Sequence, residues 1–129
     1  MDIDYAAGRI SYGHADEIIA YIRDNGLTLE WLIETHAHAD HVSGVARLSK
    51  ETGAQAIVSS QVAFPARVVR DGDEIRVGAY VLHVLATPGH TEESVSFQVD
   101  DVIFTGDALL IGGAGRTDFQ NGSPATLFE

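Results

Sequence analysis

Thr35-His36-Ala37-His38-Ala39-Asp40-His41 places three imidazoles and one carboxylate within seven positions, shortly after the apolar Trp31-Leu32-Ile33. Half of the chain's six histidines lie here. Imidazole and carboxylate donors together suit zinc or iron. The plainer alternative is a polar surface loop. His36 and His38 are separated by one small residue, so in extended backbone both project from the same face. Asp40 and His41 follow at the turn toward the next helix. Asp40 has an alternative role as N-cap of the helix that starts near Val42.

Working outward, the apolar residues Ala15, Ile18, Ile19 and Ile22 fall at helical spacing, and Asp16 and Glu17 suit the positive end of that helix. Asn25-Gly26 predicts its left-handed C-terminal cap. Residues 1–13 show little periodicity and read as loop. Residues 29–35 read as a buried strand that delivers the histidine cluster at its end. Residues 42–51 carry a weaker helical pattern stopped by Gly53, and 55–59 a short strand. Residues 60–69, with Pro65 in their middle, stay ambiguous. The spacings then predict two hairpins, 74–77 with 80–86 and 94–99 with 102–105. Gly112 to Gly115 is glycine-rich. The order is strand, helix, strand, then successive hairpins: an α/β (α+β) domain.

Two further donors follow strand ends. His90 sits in the breaker-rich Thr87-Pro88-Gly89-His90-Thr91, and Asp107 follows Gly106. Alone, His90 could be a turn histidine and Asp107 an ordinary residue after a strand. Together with the cluster they would complete a metal site from three sequence-distant loops on a rigid frame. His14 reads as a helix-start residue and His83 as a solvent-facing strand residue, and neither is a ligand candidate.

The chain's 129 residues allow one domain at most. A chain of that size buries roughly two-thirds of its unfolded surface. Nineteen acidic against eight basic residues give a formal charge of −11. That field repels phosphate backbones and anionic lipid, so no nucleic-acid or membrane partner is expected. There is no cysteine, hence no disulfide, thiolate ligand or thiol nucleophile. With no apolar run of spanning length and no signal segment, a cytoplasmic location is expected.

The residues from Thr35 to His41, then Thr87 to Thr91, then Gly106-Asp107, resemble the metallo-β-lactamase superfamily. Within it, Gly106-Asp107-Ala108-Leu109-Leu110-Ile111 and Gly115-Arg116-Thr117-Asp118-Phe119-Gln120 are similar to the persulfide dioxygenase branch. Those enzymes oxidise glutathione persulfide to sulfite with O₂ on one non-haem iron. The resemblance implies an αββα sandwich, of which this chain has about half: a single truncated domain over residues 1–129. It implies Fe(II), one per chain, on His36, His90 and Asp107, a two-histidine, one-carboxylate face with open positions. His38, Asp40 and His41 would then support that iron from behind.

Arg116, with Asp118 beside it, resembles the position that contacts glutathione. The plainer alternative is a surface arginine paired with Asp118. The related glyoxalase II branch implies a different outcome: one or two Zn(II), His38 and His41 as further ligands, and hydrolysis of a thioester or ester-like bond. There Asp40 would be the catalytic proton acceptor. A third outcome is a metal-binding fragment without catalysis. A half-sandwich would expose apolar sheet edges, so a homodimer that covers them, or a fragment, is expected.

Overall fold

The computed structural model describes residues 2–4, 6–37 and 43–129. The chain forms two compact units, one drawn from Met1–Ile33 and Ala39–Ala56, the other from Glu34–His38 and Ile57–Glu129.

The first unit opens with strands β1 (Asp2–Asp4) and β2 (Arg9–Ser11), an antiparallel hairpin pairing Asp2 with Ser11 and Asp4 with Arg9. The sequence expectation of a loop over residues 1–13 is therefore corrected. Three-residue strands are too short to show a two-residue period. The turn is instead fixed by the Asp4 carboxylate, which accepts from the amides of Ala6 and Ala7, each at 3.0 Å. Helix α1 (Gly13–Asp24) ends as its sequence predicts. The Leu27 amide donates to the Ile22 carbonyl (2.9 Å) and the Gly26 amide to that of Arg23 (3.1 Å), a Schellman cap.

Strand β3 (Trp31–Ile33) and helix α2 (Val45–Thr52) follow, and α2 buries Val45 and Leu48. Arg47 on α2 joins the two helices. Its guanidinium donates to Asp16 at 2.6 Å and lies 4.5 Å from the Tyr12 ring centre.

Strand β4 (Gln55–Val58) leads into the second unit. There Ile57 and Val58 pair in parallel with Arg67 and Val68 of the two-residue β5 (Arg67–Val68). The segment left ambiguous in the sequence thus contains a strand just after Pro65.

The body of this unit is an antiparallel sheet in the order β6 (Glu74–Val77), β7 (Tyr80–Ala86), β8 (Val95–Val99), β9 (Val102–Phe104). Both predicted hairpins are present, with Val77 opposite Tyr80 and Val99 opposite Val102. Ile57, Val58, Val69, Ile75, Val84 and Phe97 are its most buried apolar side chains. Val102, Ile103 and Phe104 are all about half exposed, so β9 does not show the one-face burial its alternation predicts. His83 is exposed as expected, with Nδ1 3.5 Å from the Glu74 carboxylate directly across the ladder.

The unit closes with a 3₁₀ turn at Gly106–Ala108 and the short helix α3 (Pro124–Leu127). Ser123 caps α3: its hydroxyl accepts from the Thr126 amide at 3.2 Å, with Pro124 in the first turn. Ser123→Ala is expected to cost about 1 kcal/mol, read as a lower midpoint in urea unfolding at unchanged slope.

Candidate metal centre

His36, His90 and Asp107, far apart in sequence, come together in the second unit. Each is placed by backbone bonds of the strands around it. The segment before His36 is held on both sides: the Glu34 amide donates to the Ile57 carbonyl and the Thr35 carbonyl accepts from the Val95 amide, both at 2.9 Å. His90 lies in the β7–β8 loop, which is closed by the Thr87 amide donating to the Ser94 carbonyl at 3.0 Å. Hydroxyls pair in and beside that loop: buried Thr91 with Ser94 at 2.7 Å, and half-buried Thr87 with Ser96 of β8 at 2.9 Å. Asp107 sits in the 3₁₀ turn directly after β9.

Two glycines make the approach possible. Gly106 takes φ +52°, and a side chain there would run into the Thr35 side chain. A Cβ on Gly115 would collide with the Asp107 carbonyl oxygen and lie 2.7 Å from His90 Nδ1. Glycine at these positions lets the Asp107 turn close onto Thr35 and the 115–116 backbone close onto His90.

The donor atoms converge. Asp107 Oδ2 is 3.5 Å from His90 Nε2 and 4.0 Å from His36 Nε2. The three ligand atoms lie within 4.8 Å of one another. Two donors each about 2.1 Å from one ion can be at most ~4.2 Å apart, and both carboxylate–imidazole separations fall inside that limit. The imidazole rings meet edge to face, centroids 4.8 Å apart and planes at 89°.

The far nitrogens are also held. His90 Nδ1 is 2.7 Å from the Arg116 carbonyl oxygen, which can only accept. Nδ1 therefore carries a hydrogen, and Nε2 is the nitrogen turned toward Asp107. His36 Nδ1 is 3.0 Å from the Thr35 hydroxyl, again leaving Nε2 as the inward nitrogen. The imidazole side chains are 8% and 3% exposed, the carboxylate 48%. The group is thus walled by its histidines and open on the side of Asp107. Two imidazoles and one carboxylate are a donor set suited to a divalent cation.

The other predicted site residues divide in two. His38, Asp40 and His41 lie outside the described residues. Arg116 and Asp118 are in place, paired in fork geometry: Nε to Oδ1 at 2.8 Å and Nη2 to Oδ2 at 3.0 Å. Those hydrogen bonds, with a smaller part from Asp118's own backbone amide and the guanidinium charge, hold the Asp118 carboxyl below the ordinary carboxylate range. The Arg116 guanidinium also lies 5.9 Å from the Phe119 ring centre. Thr35, Gly115 and the backbone of Arg116 were not singled out in the sequence as holding the histidines. The glycine-rich run before Arg116 was the available signal.

The metallo-beta-lactamase superfamily model matches residues 3–67 and 57–129, almost the whole chain. The chain belongs to the metallo-β-lactamase superfamily. Its similarity to superfamily members is substantial. It is 45% identical over 112 residues to the human protein named persulfide dioxygenase ETHE1, mitochondrial, covering 84% of this chain and 44% of that one. It is 35% identical over 146 residues to glyoxylase B2 of Dictyostelium discoideum, covering 94% of this chain and 50% of that one. The crystal structure of ETHE1 from Myxococcus xanthus superposes with a TM-score of 0.84 at 43% identity, covering 90% of this chain and 52% of that one. The chain thus spans about half the length of these superfamily relatives, and its mixed α/β architecture is part of the superfamily fold. Among the described residues, no helix is long and apolar enough to cross a membrane.

Proposed function

We propose that this chain carries the iron site of a persulfide dioxygenase that converts glutathione persulfide, O₂ and water to sulfite and glutathione. The observation that carries this reading is the donor set itself. Two imidazoles and one carboxylate on one face, open on one side, are the ligand pattern of non-haem Fe(II) oxygenases. The 45% identity to the human persulfide dioxygenase supports it.

His36, His90 and Asp107 would hold the iron. Bound there, an iron ion would supply the O₂-activating chemistry that oxidation of a persulfide sulfur needs. The protein's own residues do the rest. Buried His36 and His90 close the rear of the site to water, so substrate enters from the Asp107 side. The Arg116 carbonyl holds a hydrogen on His90 Nδ1, and the Thr35 hydroxyl holds the His36 ring with its Nε2 turned inward. The Arg116 guanidinium, exposed and presenting a planar fork, binds a carboxylate of the glutathione portion.

A second reading rests on the glyoxylase and on the hydroxyacylglutathione hydrolase of Brucella anthropi, 38% identical over 121 residues. In it His38 and His41 join the metal ligands, and Asp40 takes the proton from the attacking water.

Metal content and oxygen uptake separate the two. One iron per chain, with O₂ consumed on addition of glutathione persulfide, is the expected result. Two zinc ions and thioester hydrolysis without O₂ uptake would overturn it. Arg116→Ala is expected to raise KM about tenfold while the iron stays, because alanine keeps the carbonyl that holds His90. Loss of metal in that variant would remove Arg116 from the substrate side.

A further inference from the structure

The carboxylate of Asp118 occupies the forked edge of the Arg116 guanidinium. It makes two parallel hydrogen bonds to the Nε and Nη2 edge of Arg116, at 2.8 and 3.0 Å. This is the bidentate geometry by which a guanidinium recognises a free carboxylate. Both side chains are well exposed, 58% for Arg116 and 71% for Asp118, so the pair is open to exchange with groups arriving from solvent. An exposed pair of this kind is weak. Phe119 lies beside the guanidinium as a second contact, 5.9 Å from ring centre to the guanidinium carbon. The backbone of residue 116 is fixed separately, by the His90 bond at 2.7 Å and by the neighbouring Gly115 amide donating to the Asp107 carbonyl at 2.8 Å. Removing Asp118 therefore leaves the arginine anchored at its backbone and supported at its ring face.

We infer that Asp118 is an internal competitor for the anion-binding edge of Arg116. It fills that edge in the absence of substrate and must be displaced, or its charge overcome, when a substrate carboxylate binds. Asp118 then sets substrate affinity without touching substrate, and selects for ligands whose carboxylate outcompetes it. This rests on the assignment of Arg116 to substrate made above.

The test is calorimetric titration of glutathione into the iron-loaded protein, comparing wild type, Asp118→Asn, Arg116→Ala and the double variant. Asparagine keeps the shape of Asp118 and removes its charge. Asp118→Asn is expected to tighten glutathione binding about two- to fivefold, the range set by an exposed ion pair. The gain should vanish in the Arg116→Ala background and for the dimethyl ester of glutathione, which has no free carboxylate. If Arg116→Ala weakens binding but Asp118→Asn leaves it unchanged or weaker, the competitor role is overturned while the assignment of Arg116 stands. If Arg116→Ala leaves glutathione affinity unchanged, that assignment fails, and the competitor role with it.

Discussion

His90→Ala is expected to weaken iron binding by more than about 100-fold, enough to leave the protein without metal at one equivalent of Fe(II) under anaerobic conditions. Loss of a residue that merely orients a ligand costs roughly 10- to 100-fold in metal affinity, and loss of the ligand itself costs more. His90 is the most enclosed of the three donors, and its Nε2 is the imidazole nitrogen nearer Asp107, at 3.5 Å. The substitution leaves a polar space beside the Arg116 carbonyl and removes its donor. His83→Ala is the control, since that imidazole is exposed on β7 and belongs to no cluster of donors among the described residues. Elemental analysis after desalting reads both. Metal retained by His90→Ala at the wild-type level would refute the proposed centre.

Gly115→Ala is expected to damage the same centre without touching a ligand. The added methyl would collide with the Asp107 carbonyl oxygen and lie 2.7 Å from His90 Nδ1 and 3.0 Å from its Cγ. Neither obstacle is the end of a flexible chain. One is backbone, and the other is a ring already held by a hydrogen bond. Overpacking of this kind costs about 1–3 kcal/mol. Displacing the ring or the turn also spoils ligand orientation, for an expected 10- to 100-fold loss in iron affinity. Gly113→Ala is the matched control in the same loop, because a methyl there meets nothing within 4 Å. Denaturant melts and metal titrations of the two variants should differ in both quantities. Equal behaviour would show that the 115–116 backbone does not position His90.

The donor residues were legible because their chemistry is carried by side chains. Imidazoles at His36 and His90 and a carboxylate at Asp107 each follow a strand; hairpin spacings locate the strand ends before His90 and Asp107, and the apolar run Trp31-Leu32-Ile33 the one before His36. The devices that aim them were not legible, because they are backbone or void. The Arg116 carbonyl has no residue-type signature, and the Gly115 cradle is an absence of atoms. The hairpin at Asp2–Asp4 and Arg9–Ser11 was missed because strands of three residues carry no period. The strand at Arg67–Val68 was missed because two residues beside Pro65 read as a breaker. Val102, Ile103 and Phe104 are exposed on both faces of β9, at the edge of the sheet, which their alternation does not foretell.

Residue 116 meets His90 through its main chain and meets Asp118 through its side chain. Every amino acid offers the same carbonyl, so the identity of the side chain at this position can drift while the histidine stays aimed. If Arg116 and Asp118 act on substrate as proposed, a lineage could retune which ligand it accepts by single changes at positions 116 and 118 without disturbing the bond that aims His90. Under the proposed assignments, the two requirements most exposed to conflict during divergence, holding the ion and choosing the substrate, would fall to different atoms of one residue.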